Sequence, residues 1–235
     1  MRQALLSTST GWLIQLRGQC QRLLGHPHLE VNESLFAVGT LLSKAQQCID
    51  EGTLYAGLIE SIGDGLMQLT DDGSLQQQFS QLMPITWFRI EALQMLTRLY
   101  PIFPSEQVSC WVAMQTPNNA ITATLTQRLD DIWRQQYAHR AEALQIELLR
   151  ALINAPAFLT PCCSFGEMFA RLSRYLFWFR QVIALESLAG KPQSDAQLAQ
   201  WATLFGEYGG KALTLEGSDG LTSDFCLLQG LALLS

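Results

Sequence analysis

The stretch that decides the fold runs from Ser164 to Ala189 and reads SFGEMFARLSRYLFWFRQVIALESLA. Ser164 with Glu167 three residues on has the form of a capping box, in which the serine oxygen takes an orphan amide and the glutamate reaches back to the cap. Behind it come Phe165, Met168, Phe169 and Leu172, then the consecutive side chains Tyr175-Leu176-Phe177-Trp178-Phe179, then Val182 and Ile183. Five large side chains in a row cover every face of a helix, so this segment is predicted to be central and buried nearly all round. Arg180 and Gln181 alone break the apolar run from Tyr175 to Leu185. Arg171, Arg174 and Arg180 keep at least one edge polar or paired. Gly190-Lys191-Pro192 ends the helix, and Ser194-Asp195-Ala196-Gln197 opens another with the same cap logic.

Helical punctuation recurs outward from this segment in both directions, and sustained period-2 alternation is weak everywhere. A first helix is predicted from about Thr10 to Leu24, stopped by Gly25-His26-Pro27. A second begins after Asn32 and ends near Gly52. Thr53 is placed to cap a third with the stripe Leu54, Leu58, Ile62 and Leu66, which the polar turn Asp71-Asp72-Gly73-Ser74 stops. A short fourth follows, and Pro84 then takes a first-turn site ahead of Trp87, Ile90, Leu93, Leu96 and Leu99. Pro101 and Pro104 punctuate a short sixth helix with Cys110 and Trp111.

Thr116-Pro117 is a strong start signal, and no Gly or Pro follows until Pro156. One uninterrupted helix there would span on the order of 55 Å at 1.5 Å per residue; a break near Asn154 or earlier is the alternative. Every seventh residue from Leu125 reads Leu125, Ile132, His139, Ile146, Ile153, an apolar seam with one histidine and Gln136 a turn before it. A polar residue in such a seam packs as a hydrogen-bonded core group, fixes register, or binds a ligand. Gly209-Gly210 and Glu216-Gly217-Ser218-Asp219-Gly220 loosen the chain before a last apolar segment with Phe225, Leu228 and Leu231. The expected architecture is all-α: one domain over residues 1–235, a bundle of about eight to ten helices with one long central helix and a buried aromatic-rich helix. Residues 101–116 are the place for any subdivision.

Composition narrows the functional classes. Only 15% of residues are charged against 48% hydrophobic, and a surface with well under the usual quarter of charge often has a partner. No run of about 18 uncharged apolar residues exists, so no membrane span is expected. The N-terminus lacks the long apolar core of a secretory signal, so the expected location is cytoplasmic. The cysteines, among them the adjacent Cys162-Cys163, lack metal or redox spacing.

Charge is segregated within the net −6. Ala45 to Phe88 holds six acids and no Lys or Arg, Pro192 to Ser235 holds five acids and Lys211 alone, and Pro117 to Ala189 balances seven arginines with six acids. No basic face exists to release counterions from phosphate, which argues against nucleic acid and leaves acidic flanks suited to a basic partner.

Catalytic signatures are missing. There is no phosphate-binding glycine loop, no nucleophile elbow and no Glu-x-x-His pair. His26 and His28 flank Pro27 with no third ligand at metal spacing. No catalytic residue, cofactor or metal is therefore expected. The reading is a cytoplasmic helical protein-binding protein: a chaperone, adaptor or accessory subunit of a larger bacterial assembly, such as a secretion or maturation machine. Its partner would be another protein, with a basic or apolar helical segment, or a second copy of the chain. The alternative is a helical enzyme or small-molecule binder with an apolar cavity near His139 and the 165–183 helix. The candidate binding residues are His139, Gln136, Tyr175, Trp178, Phe179, Phe225 and Leu228.

Overall fold

The computed structural model describes residues 10–96, 119–159, 164–212 and 222–234. Among these every regular element is helical: α1 (Thr10–Leu24), α2 (Val31–Asp50), α3 (Ala56–Asp71), α4 (Ser74–Ser80), α5 (Thr86–Leu96), α6 (Asn119–Gln136), α7 (Glu142–Asn154), a 3-10 turn (Pro156–Leu159), α8 (Phe165–Leu188), α9 (Asp195–Ala212) and α10 (Ser223–Leu234). The multi-helix bundle read from the sequence is the fold.

The organising helix is α8, the longest of the described elements at 24 residues. It packs against α10, α6 and α2, with α5, α7 and α9 completing its surroundings. Phe169, Leu176, Phe179 and Ile183 are fully buried along it. At its start Ser164 Oγ accepts from the Glu167 N–H at 3.2 Å, while the Glu167 carboxylate turns forward to the buried Arg171 at 2.6 Å. Half of the expected box therefore forms, because an ion pair on the next turn takes the glutamate. The box at α9 is complete: Gln197 donates its amide N–H to Ser194 Oγ, and the Ser194 N–H donates to Gln197 Oε1. One contiguous apolar core joins residues from Leu16 on α1 to Leu234 on α10.

Several local expectations are corrected. The continuous helix after Pro117 is two helices, α6 and α7, separated by a turn over residues 137–141. No breaker residue lies there, so tertiary anchors override propensity. Tyr137 and Ala141 are both buried, and the Tyr137 hydroxyl accepts from the Gln193 N–H at 2.9 Å and donates to Ser187 Oγ at 3.1 Å. Thr53 closes α2 instead of opening α3: its N–H and hydroxyl both donate to the Cys48 carbonyl, behind Gly52 at φ 70°. Helix α2 starts two residues early, because Glu30 and Glu33 form an unforeseen reciprocal cap. Pro84 lies ahead of α5 and outside its first turn. Gly209-Gly210 stays inside α9, and a Cβ on Gly209 would come within 2.5 Å of the Leu152 side chain, so this glycine permits a close helix approach. The Thr116-Pro117 cap, Cys110, the Cys162-Cys163 pair and the possible subdivision at 101–116 lie outside the described residues.

Among the described residues no helix is long and apolar enough to cross a membrane.

Candidate functional site

Six helices and the 137–141 turn converge on a cavity of about 480 Å³ beside α8. The spacing of its lining residues explains how each helix contributes. Phe177, Arg180 and Gln181 stand at i, i+3 and i+4 on α8, and Asp130, Trp133 and Arg134 repeat that spacing on α6. Arg89 enters from α5 and Gln145 from α7. Asn32 enters from the first turn of α2, where its side-chain N–H donates to the carbonyl of Leu234 at the end of α10, 2.9 Å away.

The floor is polar and mostly satisfied from within. Arg89 pairs with one oxygen of Asp130, and Gln181 Nε2 donates to the other at 2.8 Å. Arg180 donates from Nε to Gln145 Oε1 and from Nη2 to Asn32 Oδ1, each at 2.7 Å. Its guanidinium lies 5.8 Å from the centroid of the Trp133 ring, as that of Arg89 lies 5.3 Å from Phe177. Both aromatic faces are thus taken by the protein's own cations. Burial, and next the positive charge of Arg89, pull Arg180 from its usual value down to about 10, against the opposing pull of Asp130. Two groups on this floor stay open. Among the described residues no carboxylate lies within ion-pair distance of Arg180, which is held by neutral amide oxygens. Gln181 is 1% exposed, and its Oε1 has no hydrogen-bond partner.

The expected site residues fall in three places. His139 borders the cavity, exposed in the turn instead of packed in a seam. Gln136 is one turn back and closes a relay, its Oε1 accepting from Ser187 Oγ at 2.9 Å. Tyr175, Trp178 and Phe179 are core: the Trp178 indole N–H donates to the Ala92 carbonyl at 2.6 Å, and Phe179 meets Trp133 and Phe205 edge-on. Phe225 and Leu228 are 40% and 43% exposed on α10. The cavity does adjoin His139 and α8, but charged groups line it together with apolar ones. Sequence reasoning missed Asn32, Gln145 and Gln181; the available signal was the interruption of the Tyr175–Leu185 run by Arg180-Gln181.

A second surface lies where α5 meets α10. Phe88 packs edge-on against Phe225 at 5.5 Å; Phe225 and Leu228 are exposed one turn apart on α10, and Trp87, next to Phe88 in sequence, is 59% exposed on α5. Glu91 lies with Phe88 in the crevice between the two helices, the exposed Asp224 precedes Phe225 in sequence, and Arg174 in that crevice folds over the Trp178 ring. On the α2–α3 side all six carboxylates between Ala45 and Phe88 are exposed; Asp64 pairs with Arg22, and Asp71 faces His26 Nε2 at 3.4 Å. The rings of His26 and His28 lie 5.6 Å apart, and among the described residues no group of three or more His, Cys, Asp or Glu is arranged to hold a metal.

A family model described as FliB lysine N-methylase C-terminal domain matches residues 17–155. No curated protein and no solved structure matches the chain.

Proposed function

The chain belongs to the FliB lysine N-methylase C-terminal domain family, and from that premise we propose that it is the helical protein-binding part of a lysine N-methylation system. In this reading it acts in the cytoplasm as an adaptor or accessory unit that docks a lysine-bearing protein. The observation that carries the proposal is the α5–α10 contact, where Phe225 and Leu228 are exposed on α10 after Asp224, and α5 exposes Trp87 and carries Glu91. A large aromatic side chain on an apolar patch is what a protein interface uses as an anchor, and flanking carboxylates suit a lysine-bearing segment. The exposed acids of α2 and α3 add a long-range field of the sign that steers a cationic partner.

The test is a comparison of N-methyl-lysine by mass spectrometry in source cells with the intact chain, a deletion, and a Trp87→Glu/Leu228→Glu variant. The expected result is that methyl-lysine on at least one protein is lost in the deletion and falls severalfold in the double variant. That same protein should co-purify with the intact chain and not with the variant. Unchanged methyl-lysine in the deletion overturns the assignment to lysine methylation, and normal methylation with the folded double variant overturns the docking face.

A further inference from the structure

We propose that the cavity beside α8 binds a small α-amino-acid zwitterion, its carboxylate on Arg180 and its ammonium toward Gln181 Oε1 and the carboxylates of the rim. The inference stands on the cavity alone and does not depend on the α5–α10 face. Three features define the chemistry. First, a guanidinium has five N–H donors, and Gln145 and Asn32 take one each, so three remain for a carboxylate, two on Nη1 and one on Nη2. The amide oxygens that fix Arg180 orient it without cancelling its charge.

Second, Gln181 Oε1 is a buried acceptor beside Arg180 in the same lining. A buried acceptor with no donor carries a desolvation cost that a ligand N–H removes. The ligand therefore brings a donor as well as an anion. Third, the charges lining the cavity are arranged in two zones. The Arg89–Asp130 pair is closed internally, and Arg134 pairs with Asp131 at 3.5 Å. That leaves Arg180 on the floor and, on the same lining, the exposed carboxylates of Glu142 and of Glu30, which also caps α2. A floor cation with exposed carboxylates on the same lining fits a molecule with separated opposite charges better than a simple anion, and those carboxylates prefer an ammonium to a neutral amide. The volume of about 480 Å³ is in the usual range for small-molecule sites and accommodates a side chain as well.

Isothermal titration calorimetry on the full chain tests this, with each of the twenty protein L-amino acids as probe. The tightest is then compared with its decarboxylated amine, its deaminated acid and its N-acetyl derivative, and with inorganic phosphate. At least one amino acid should bind more tightly than about 1 mM. Its amine, acid and N-acetyl forms should each bind at least about tenfold more weakly, the loss expected for one charged hydrogen bond. Arg180→Gln should weaken the amino acid by a similar factor, titrated at a temperature where circular dichroism shows the variant folded. No amino acid binding below about 1 mM overturns the proposal. So does equal binding of the deaminated acid, the N-acetyl form or phosphate, since each shows that the donor half of the site is not read. If Arg180→Gln does not fold, the ligand series on the unaltered protein decides by itself.

Discussion

Trp178 and Gln181 stand three residues apart on one helix, and each carries a buried polar group to a different neighbourhood. On the core side the Trp178 indole spends its single donor on the Ala92 carbonyl, and Tyr175 packs edge-on against its ring. On the cavity side Gln181 spends one N–H on Asp130 and keeps an unanswered oxygen, next to a guanidinium whose hydrogen bonds go to neutral amides. The same backbone thus serves a closed core on one side and an open polar floor on the other. What differs is the supply of partners: the core side meets a helix carbonyl with a second lone pair to spare, whereas the cavity side meets side chains already committed to one another. Substitutions on the closed side should cost stability, and substitutions on the open side should cost binding.

The largest effect is expected at Trp178. Trp178→Ala removes a 1% exposed indole from the centre of the core and should destabilise the fold by about 3–5 kcal/mol in denaturant unfolding. Trp178→Phe keeps most of the volume but loses the hydrogen bond to the Ala92 carbonyl, which retains its donor within α5, a cost of about 0.5–1.5 kcal/mol. A tolerated Trp178→Ala would erase the contrast between the two sides of α8. Gly166 comes next. An added Cβ would sit 2.0 Å from the backbone oxygen of Ser223, whose side chain accepts from the Gly166 N–H at 3.2 Å. Helical preference favours alanine by about 1 kcal/mol, yet a clash against backbone can be relieved only by moving the start of α10. Gly166→Ala is therefore expected to lose about 2 kcal/mol net. A gain in melting temperature would show that α10 is seated more loosely on α8 than the contact implies.

How much of this was legible in the sequence follows from the range of the forces involved. The identity of α8 was plain because five consecutive large side chains leave no exposed face, and the caps at Ser164 and Ser194 are local chemistry within four residues. The end of the first helix at Leu24 was legible because Gly25-His26-Pro27 stops it. The break at 137–141 was not, because its cause is Gln193, 56 residues away in sequence, donating to the Tyr137 hydroxyl. The cavity was harder still. Arg180 meets Asn32 across 148 residues and Gln145 across 35, and nothing in the local pattern of any of the three announces the others. The heptad reasoning that singled out His139 assumed an unbroken helix; once the chain turns there, the histidine leaves the seam for the cavity edge.

A smaller, pH-dependent effect distinguishes the closed interior from the cavity. Cys20 is fully buried in the same core as Trp178, and burial pushes its thiol from 9.0 up to about 12. Its folded value is raised, so between pH 9 and 12 the unfolded chain releases a proton that the folded chain retains. Stability from this source is intact below pH 9 and is lost as pH rises toward 12, by about 1 kcal/mol at pH 10. The alkaline slope of unfolding free energy should flatten in Cys20→Ala, although that variant starts from lower stability. An unchanged slope would mean that water already reaches this part of the core.

The smallest effect is expected at the turn that borders the cavity. Arg140 in the turn pairs with Asp195 at the start of α9 at 2.6 Å, but the aspartate side chain is 81% exposed and the arginine 46%. Such a pair gains little over its hydrated parts, so Asp195→Asn should change stability by less than about 0.5 kcal/mol, and less again in high salt. The anchors that hold the turn are instead buried Tyr137 and Ala141. Tyr137→Phe is the informative partner to this variant, because it removes both hydroxyl hydrogen bonds, to Gln193 and to Ser187, at nearly constant volume. If Asp195→Asn proved the more damaging of the two, the break between α6 and α7 would be an electrostatic feature of the surface, and the position of His139 beside the cavity would vary with ionic strength.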